Sequence, residues 1–554
     1  MPTIPPKYYP LLLAVLGAVF YLPFLGAVHL FDWDEINFAE SAREMLVTGN
    51  YTRVQINFQP FWEKPPLFFW LQALCMRVLG VGEYAARLPN ALVGIVTLQV
   101  LYAIGKKLVD ARFGLVWALA YFGSLAPHLY FKSGIIDPTF NLFIFLGVWY
   151  LSGAVTAHGT PAARQKAILS GLFIGLAVLT KGPVGGLLPG LTFLVFWGLQ
   201  RFRPILSFGN GLLFLGRALA VASLWFGLEL AKNGFWFFQE FITYQIRLFS
   251  TPDAGHEQPF YYHFVVVLLG CFPMSLFALT NLTTGGSNPA TESRAAVADT
   301  ATFRRWMVIL FWLVMILFSI VRTKIIHYSS MAWFPVSYLA ADYLYGYLYE
   351  KRRLSGWLVG GLAFIGGLLA LIFTAMPVIG MNAAQLIPYI KDPFAAANLT
   401  APVEWGEWEW IIGLLFGGLL GVALWRLVRQ RERGVVLLFS AIPVLLWMAL
   451  PVIMPKVEQY IQGAVIDFYE ARQGQDIYME PIGYKSYAHL FYFRKQPRKP
   501  ISSEEEWLLN GPVDRPAYLV TKIDRADNYR YHPNLELIGE DSGYVFFRRK
   551  PGFK

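Results

Sequence analysis

Cysteine is nearly absent: Cys75 and Cys271 are the only 2 in 554 residues, and both lie in apolar surroundings. That excludes a disulfide framework and a cysteine-based metal centre. Charge is scarce as well. Asp, Glu, Lys and Arg make up 15% of the chain against 56% hydrophobic residues, and mean hydropathy is +0.45. Soluble domains carry about 25% charged residues, so this composition excludes a chain that is soluble as a whole and points to a polytopic membrane protein. The 46 Lys and Arg exceed the 36 Asp and Glu. The excess argues for membrane topology rather than nucleic-acid binding, because the basic residues cluster between apolar runs. No HExxH or CxxC spacing occurs. No internal repeat is visible, which weighs against repeat-built transporters. No small-residue cleavage pattern follows the first apolar run, which reads as a retained span.

Long apolar runs are what the chain has most of. They lie near 8–30, 88–105, 113–131, 139–157, 167–180, 183–200, 212–231, 263–281, 306–321, 331–348, 356–377, 409–426 and 435–454. Each approaches the length a bilayer requires, which predicts about thirteen spans. Basic clusters at Lys106/Lys107, Arg164/Lys166, Arg201/Arg203, Arg304/Arg305, Lys351 to Arg353 and Arg426 to Arg433 fall in every second loop. The positive-inside rule makes those loops cytoplasmic, together with the N-terminus. An odd number of spans then places the C-terminus outside.

The first outer loop, 31–87, carries two helical patterns. Apolar residues recur on one face from Glu35 to Leu46, closed by Gly49-Asn50, and Pro65 to Leu79 is a second apolar, aromatic segment. Both suit helices lying in the membrane interface. Residues 282–305 read as a polar loop. Beyond Val457 the composition turns polar, with strand-like DIYMEPIG, PAYLVTKI and SGYVFFRRK and helical EEEWLL. The expected architecture is a polytopic α-helical membrane protein of about 13 transmembrane helices with outer interfacial helices and a small C-terminal α/β domain. The expected domains are 1–455, in the membrane, and 456–554, outside it.

Polar residues recur at the outer ends of the spans. Asp34 and Glu35 stand in FDWDE, Glu63 and Lys64 in EKPP, Asp137 in IIDPTF, and Lys181 in LTKGP. Arg247 lies in YQIRLFS, His256 and His263 bound HEQPFYYH, and Lys324, His327 and Tyr328 lie in RTKIIHYSS. Each has a plain structural reading. Asp34 and Asp137 are suitable helix caps. Lys64 and Lys181 are suitable snorkelling lysines. Taken together the set suggests chemistry. A polyprenyl phosphate that leaves with its charge needs cations, and Lys64, Lys181, Arg247 and Lys324 suit that role. Glycosyl transfer through an oxocarbenium-like state suits a carboxylate, for which Asp34 and Asp137 are candidates. Paired carboxylates also admit a divalent metal, with Glu63, His256 and His263 as candidate ligands.

The stretches DWDEINFAESAREML, EKPPLFFWL, ARLPNAL, IIDPTF, LTKGP, HEQPFYYH and KIIHYSSMAWFPVSYLA resemble integral membrane glycosyltransferases that use polyprenyl-phosphate sugars. They resemble the dolichyl-phosphate-mannose protein mannosyltransferases and, more closely, the bacterial aminoarabinose transferases that modify lipid A. EPIGYKSYAHLFYF in the tail agrees with the second branch. The resemblance implies the bacterial inner membrane, a periplasmic C-terminal domain, an undecaprenyl-phosphate aminoarabinose donor and a lipid A acceptor. It implies an inverting transfer that masks negative charge and confers resistance to polymyxin. It carries catalytic acids to Asp34 and Asp137, donor-phosphate cations to Lys64, Lys181, Arg247 and Lys324, and a carbohydrate- or metal-side place to Glu63; Glu35, His256 and Tyr328 are the further candidate substrate or sugar contacts. The competing readings are transfer to protein or another envelope glycan, and a lipid-linked sugar transporter without chemistry.

Overall fold

The computed structural model describes residues 4–250, 258–283, 297–350, 352–498 and 504–550. Helix α1 (Tyr9–Tyr21) stops well short of the expected first span. Pro23 follows it and Phe24 takes a φ of 62°, which ends helical geometry. The first loop then folds as α2 (Asp34–Thr48), the hairpin β1 (Gln55–Ile56) and β2 (Gln59–Pro60), and α3 (Leu67–Leu79). Gly49 closes α2 at a φ of 69°, a conformation that favours glycine.

The bundle continues through α4 (Glu83–Leu108), α5 (Ala111–Phe122), α6 (Leu125–Tyr130), α7 (Asp137–Thr156), α8 (Pro161–Lys181), α9 (Val184–Leu199) and α10 (Phe208–Asn233). Next come α11 (Phe235–Ser250), α12 (Tyr262–Gly270), α13 (Met274–Thr283), α14 (Val297–Ile320), α15 (Trp333–Tyr349) and α16 (Gly356–Met381). The short α17 (Ala383–Leu386) and α18 (Pro393–Asn398) lead to α19 (Ile411–Arg429) and α20 (Arg431–Val452). Among the described residues, 8 helices have the length and apolarity to cross a membrane: α4, α7, α8, α10, α14 over Thr300–Ile320, α16, α19 and α20. The chain is a polytopic helical membrane protein.

The other expected runs are shorter or broken. The run at 113–131 divides into α5 and α6 at Gly123-Ser124, and 263–281 divides into α12 and α13 beside Pro273. Proline lacks the amide a continuing helix needs. The run at 331–348 begins as tight 3-10 turns over Ile326–Ala332 before α15.

Small residues bring the helices close. A Cβ on Gly171 would run into the Phe214 carbonyl oxygen, so the backbones of α8 and α10 approach closely. Helix α8 packs between α7 and α10, which places the start of α7 and the end of α8 side by side. Trp117, fully buried on α5, donates from Nε1 to the Ser337 hydroxyl on α15 at 2.8 Å.

The C-terminal sheet has the order β3-β4-β6-β5, from β3 (Tyr478–Pro481), β4 (Ala517–Lys522), β5 (Leu535–Asp541) and β6 (Tyr544–Arg549). The β3–β4 pair is parallel and the others antiparallel. Strand-like patterns anticipate β3, β4 and β6, while β5, in NLELIGED, carries charge along an exposed edge and leaves no clear alternation. The segment does not stand alone. Ile36, Ala39 and Ala42 of α2 and Ala73 and Met76 of α3 share one apolar core with Ile466, Phe491, Val520 and Phe546. Near 455 the chain runs on through helical Met454–Glu458 and Ala464–Glu470.

Candidate active site

The site lies where α2, α7, α8 and the turn before α15 meet. Asp34 opens α2 and Asp137 opens α7, each as the first helical residue, with no side-chain cap bond at either start. The plain capping reading of both is therefore set aside. A carboxylate at a helix start sits in the positive end of the dipole, and these two have further cationic neighbours. Lys181 Nζ donates to Asp137 Oδ1 at 2.6 Å, with the two side chains 15% and 5% exposed. His327 Nε2 stands 3.6 Å from Asp34 Oδ2, and His327 Nδ1 is 2.7 Å from the Tyr130 hydroxyl. Tyr130, His327 and Asp34 thus form a chain of polar groups.

Two adjoining cavities meet at these residues. One, of about 440 Å³, is apolar, walled by Phe140, Val184, Leu187, Leu188, Leu317 and Phe318. The other, of about 610 Å³, is polar, with Asp34, Glu63, Arg247, Thr323 and Lys485 on its walls. Lys64, Asp137, Lys181, His327 and Tyr328 line both. Burial and then the nearby Lys181 ammonium push Lys64 below the usual lysine range, against the pull of Glu63, Asp34 and Asp137. Clustered cations of that kind are poised for an anion. Asn37 also lines the polar cavity. It is 4% exposed, and its Oδ1 is buried with no hydrogen-bond donor among the described residues.

The cavity walls gather Asp34, Asp137, Lys64, Lys181, Arg247, Glu63 and Tyr328. Other expected members fall elsewhere. Glu35 points into the protein, where Arg87 Nε and the Gly134 amide donate to Oε1 at 2.8 and 2.6 Å. Its Oε2 accepts from Arg87 and from the Phe31 amide at 2.8 and 2.9 Å. Both oxygens are satisfied by the fold, so Glu35 braces the loop and does not face a sugar. Burial opposes its charge, yet Arg87 and the amides hold its pKa below the usual range. Lys324 is buried and lines neither cavity. His263 is fully buried in α12 and also off both walls, and His256 lies outside the described residues. Of the candidate metal ligands only Glu63 is placed at the cavity, and no group of three or more His, Cys, Asp or Glu suited to a metal occurs among the described residues.

Asn37, Lys485 and Tyr487 are residues that sequence reasoning missed. His327 stands in RTKIIHYSS among the outer polar residues expected at the site, and the structure gives it the place beside Asp34 that the sequence does not specify. Asn37 follows Asp34 by one helical turn on α2, so the i, i+3 spacing was available. Nothing local marks Lys485, some 450 residues downstream of Asp34.

Residues 63–226 match the family described as dolichyl-phosphate-mannose-protein mannosyltransferase. An undecaprenyl phosphate-alpha-4-amino-4-deoxy-L-arabinose arabinosyl transferase of Edwardsiella ictaluri is 25% identical over 454 residues, covering 78% of this chain and 79% of that protein. The enzyme so named in Pseudomonas savastanoi pv. phaseolicola is 28% identical over 449 residues, with 78% of each chain covered. The crystal structure of ArnT from Cupriavidus metallidurans bound to undecaprenyl phosphate superposes with a TM-score of 0.75 over 98% of both chains, at 19% identity. The chain is a homologue of the aminoarabinose transferases. It shares the fold of that ArnT over a far longer part of the chain than the family match covers.

Proposed function

We propose that the chain is a polyprenyl-phosphate-dependent glycosyltransferase that moves 4-amino-4-deoxy-L-arabinose from undecaprenyl phosphate to a phosphate of lipid A. The observation that carries the reading is the pair of adjoining cavities sharing Lys64, Asp137, Lys181, His327 and Tyr328. A lipid-linked sugar phosphate needs an apolar groove for its tail, cations where the groove meets water, and carboxylates beyond them. This site has that order. The homologues' names point to the same donor.

The isoprenoid lies against Phe140, Leu187 and Phe318. Its phosphate rests on Lys64 and Lys181, with Asp137 fixing the Lys181 ammonium. An acceptor phosphate oxygen attacks the anomeric carbon as the bond to the donor phosphate breaks. Undecaprenyl phosphate leaves with the electron pair, its charge held by Lys64, Lys181 and Arg247. The acceptor is already anionic and needs no strong base. Asp34 therefore stabilises the positive charge that develops on the sugar, and Asn37 accepts a hydrogen bond from it. The single displacement inverts the anomeric centre.

We place this site at the periplasmic face of the inner membrane, with the N-terminus cytoplasmic, residues 1–455 forming the transmembrane domain and 456–554 a periplasmic one. Support comes from Lys106 and Lys107 at the far end of α4 and Lys166 at the far end of α8, away from Asp137 and Lys181. The transfer masks negative charge at the cell surface and so gives resistance to polymyxin and similar cationic peptides.

The test uses protein in lipid with undecaprenyl-phosphate aminoarabinose and lipid A, read by mass spectrometry. Wild type should add one pentosamine, and Asp34→Asn should slow transfer at least about 100-fold. No product from wild type would overturn this donor and acceptor. Equal rates in both would remove Asp34 from the chemistry.

A further inference from the structure

Transfer between two phosphates puts two anionic groups in one site, and each needs its own cation. Lys64 and Lys181 stand at the junction with the apolar cavity, so they belong to the phosphate whose tail lies there. The second phosphate has to bind on the part of the polar cavity that the apolar one does not share. Asp32, Trp33, Asp34 and Asn37 form one side of it, Lys485 and Tyr487 of the C-terminal segment form another, and Arg247, given above to the leaving phosphate, lines it as well.

We infer that Lys485 is the acceptor-phosphate ligand of this site, supplied by the C-terminal segment, an inference that rests on the transfer reaction proposed above. Its ammonium lies 4.8 Å from the centre of the Trp33 ring and 5.4 Å from that of Tyr487. Those rings hold the cation without neutralising it. Among the described residues no carboxylate is within ion-pair distance of it, although Asp32 and Asp34 flank Trp33. The segment that carries Lys485 is pinned in place. The Tyr487 amide donates to Asp32 Oδ1 at 3.3 Å, and the Leu30 amide donates to the Tyr492 hydroxyl at 2.6 Å. Contacts two and seven residues after Lys485 thus tie its segment to the loop that bears Asp34. An accessible, unneutralised cation in that position draws an anionic acceptor to the carboxylate that assists transfer. It is a binding and specificity residue, and no proton or bond passes through it.

The experiment measures acceptor and donor KM separately for wild type, Lys485→Gln, Lys485→Glu and Lys485→Arg. A second arm measures binding of bisphosphorylated lipid A and of undecaprenyl phosphate to the same proteins in nanodiscs. Loss of one charge-assisted contact should raise acceptor KM and lipid A Kd about 10-fold in Lys485→Gln. The effect should be larger in Lys485→Glu and largely restored in Lys485→Arg, with donor KM and undecaprenyl phosphate binding unchanged. Unchanged lipid A affinity in Lys485→Gln and Lys485→Glu would overturn the inference, as would a loss confined to the donor. Failure of wild type to form product while lipid A binding still depends on Lys485 would count against the transfer reaction and leave the acceptor site standing.

Discussion

Lys64 shows how one residue's surroundings set its working range. Partial burial and the Lys181 ammonium both disfavour its charge, so its pKa lies below that of an ordinary lysine. A phosphate binds the charged form. As pH rises through the lowered pKa, Lys64 loses its proton and the phosphate contact goes with it. Undecaprenyl phosphate affinity should therefore fall at a lower pH than an unperturbed lysine would give, by about 10-fold once Lys64 is neutral. Lys64→Arg keeps its charge throughout and should flatten that alkaline fall. A binding titration against pH, run on both proteins, checks this, and coincident curves would show that Lys64 does not meet the phosphate. Lys64 was recognisable in EKPP from its place in an outer loop. Its neighbour Lys181, which lowers its pKa, is 117 positions away and ends α8, which packs against α3, the helix that follows Lys64.

At the scale of elements, the first loop is held by a buried ion pair rather than by apolar contacts alone. Arg87, at the start of α4, reaches Glu35 on α2 and also the carbonyls of Leu25, Val28 and His29 at 2.8, 2.6 and 2.9 Å. One guanidinium thus fixes the chain between α1 and α2, and with it the position of Asp34. Glu35→Gln leaves that guanidinium buried without its counter-charge, a change that costs about 3–5 kcal/mol. Its melting temperature should fall clearly, and kcat should fall with donor KM little changed, because Asp34 is displaced while the lysines are not. A raised donor KM at unchanged melting temperature would return Glu35 to the sugar site. The sequence shows the helix over 35–46 plainly, because its apolar residues repeat at helical spacing. Which of the adjacent acids faces inward is invisible, since Asp34 and Glu35 differ only by the rotation of one helical step.

For the molecule as a whole, the C-terminal sheet is coupled to the loop helices through one apolar core. At its heart Glu480 pairs with Lys495 and, at 3.0 Å, with His489. Burial opposes ionisation of Glu480, but these two partners hold its pKa down at about 2. A carboxylate with a depressed folded pKa stabilises fully above its ordinary value of about 4.3, and that contribution is lost as pH falls toward the folded pKa. Glu480→Gln should lower stability at neutral pH by on the order of 3 kcal/mol and flatten the acid dependence between those limits. Hydrogen exchange should show protection falling in β3 and β4 and in α2 together. Loss confined to the sheet would mean that the shared core does not couple the two regions.

Composition and periodicity by themselves determined that this chain is a membrane protein, where its apolar runs lie, and that acids and lysines end them on one face. These are properties of short windows, and the bilayer reads them window by window. The break of an apolar run into two helices was less legible, because one proline or glycine at a span's middle decides it. Only the tertiary structure decided which polar residues share a cavity. It turned Glu35 inward to Arg87, left Lys324 off the walls, and brought His327 and the distant Lys485 to the cavity that Asp34 lines. Contacts between residues hundreds of positions apart depend on how whole helices pack, and no local pattern encodes that.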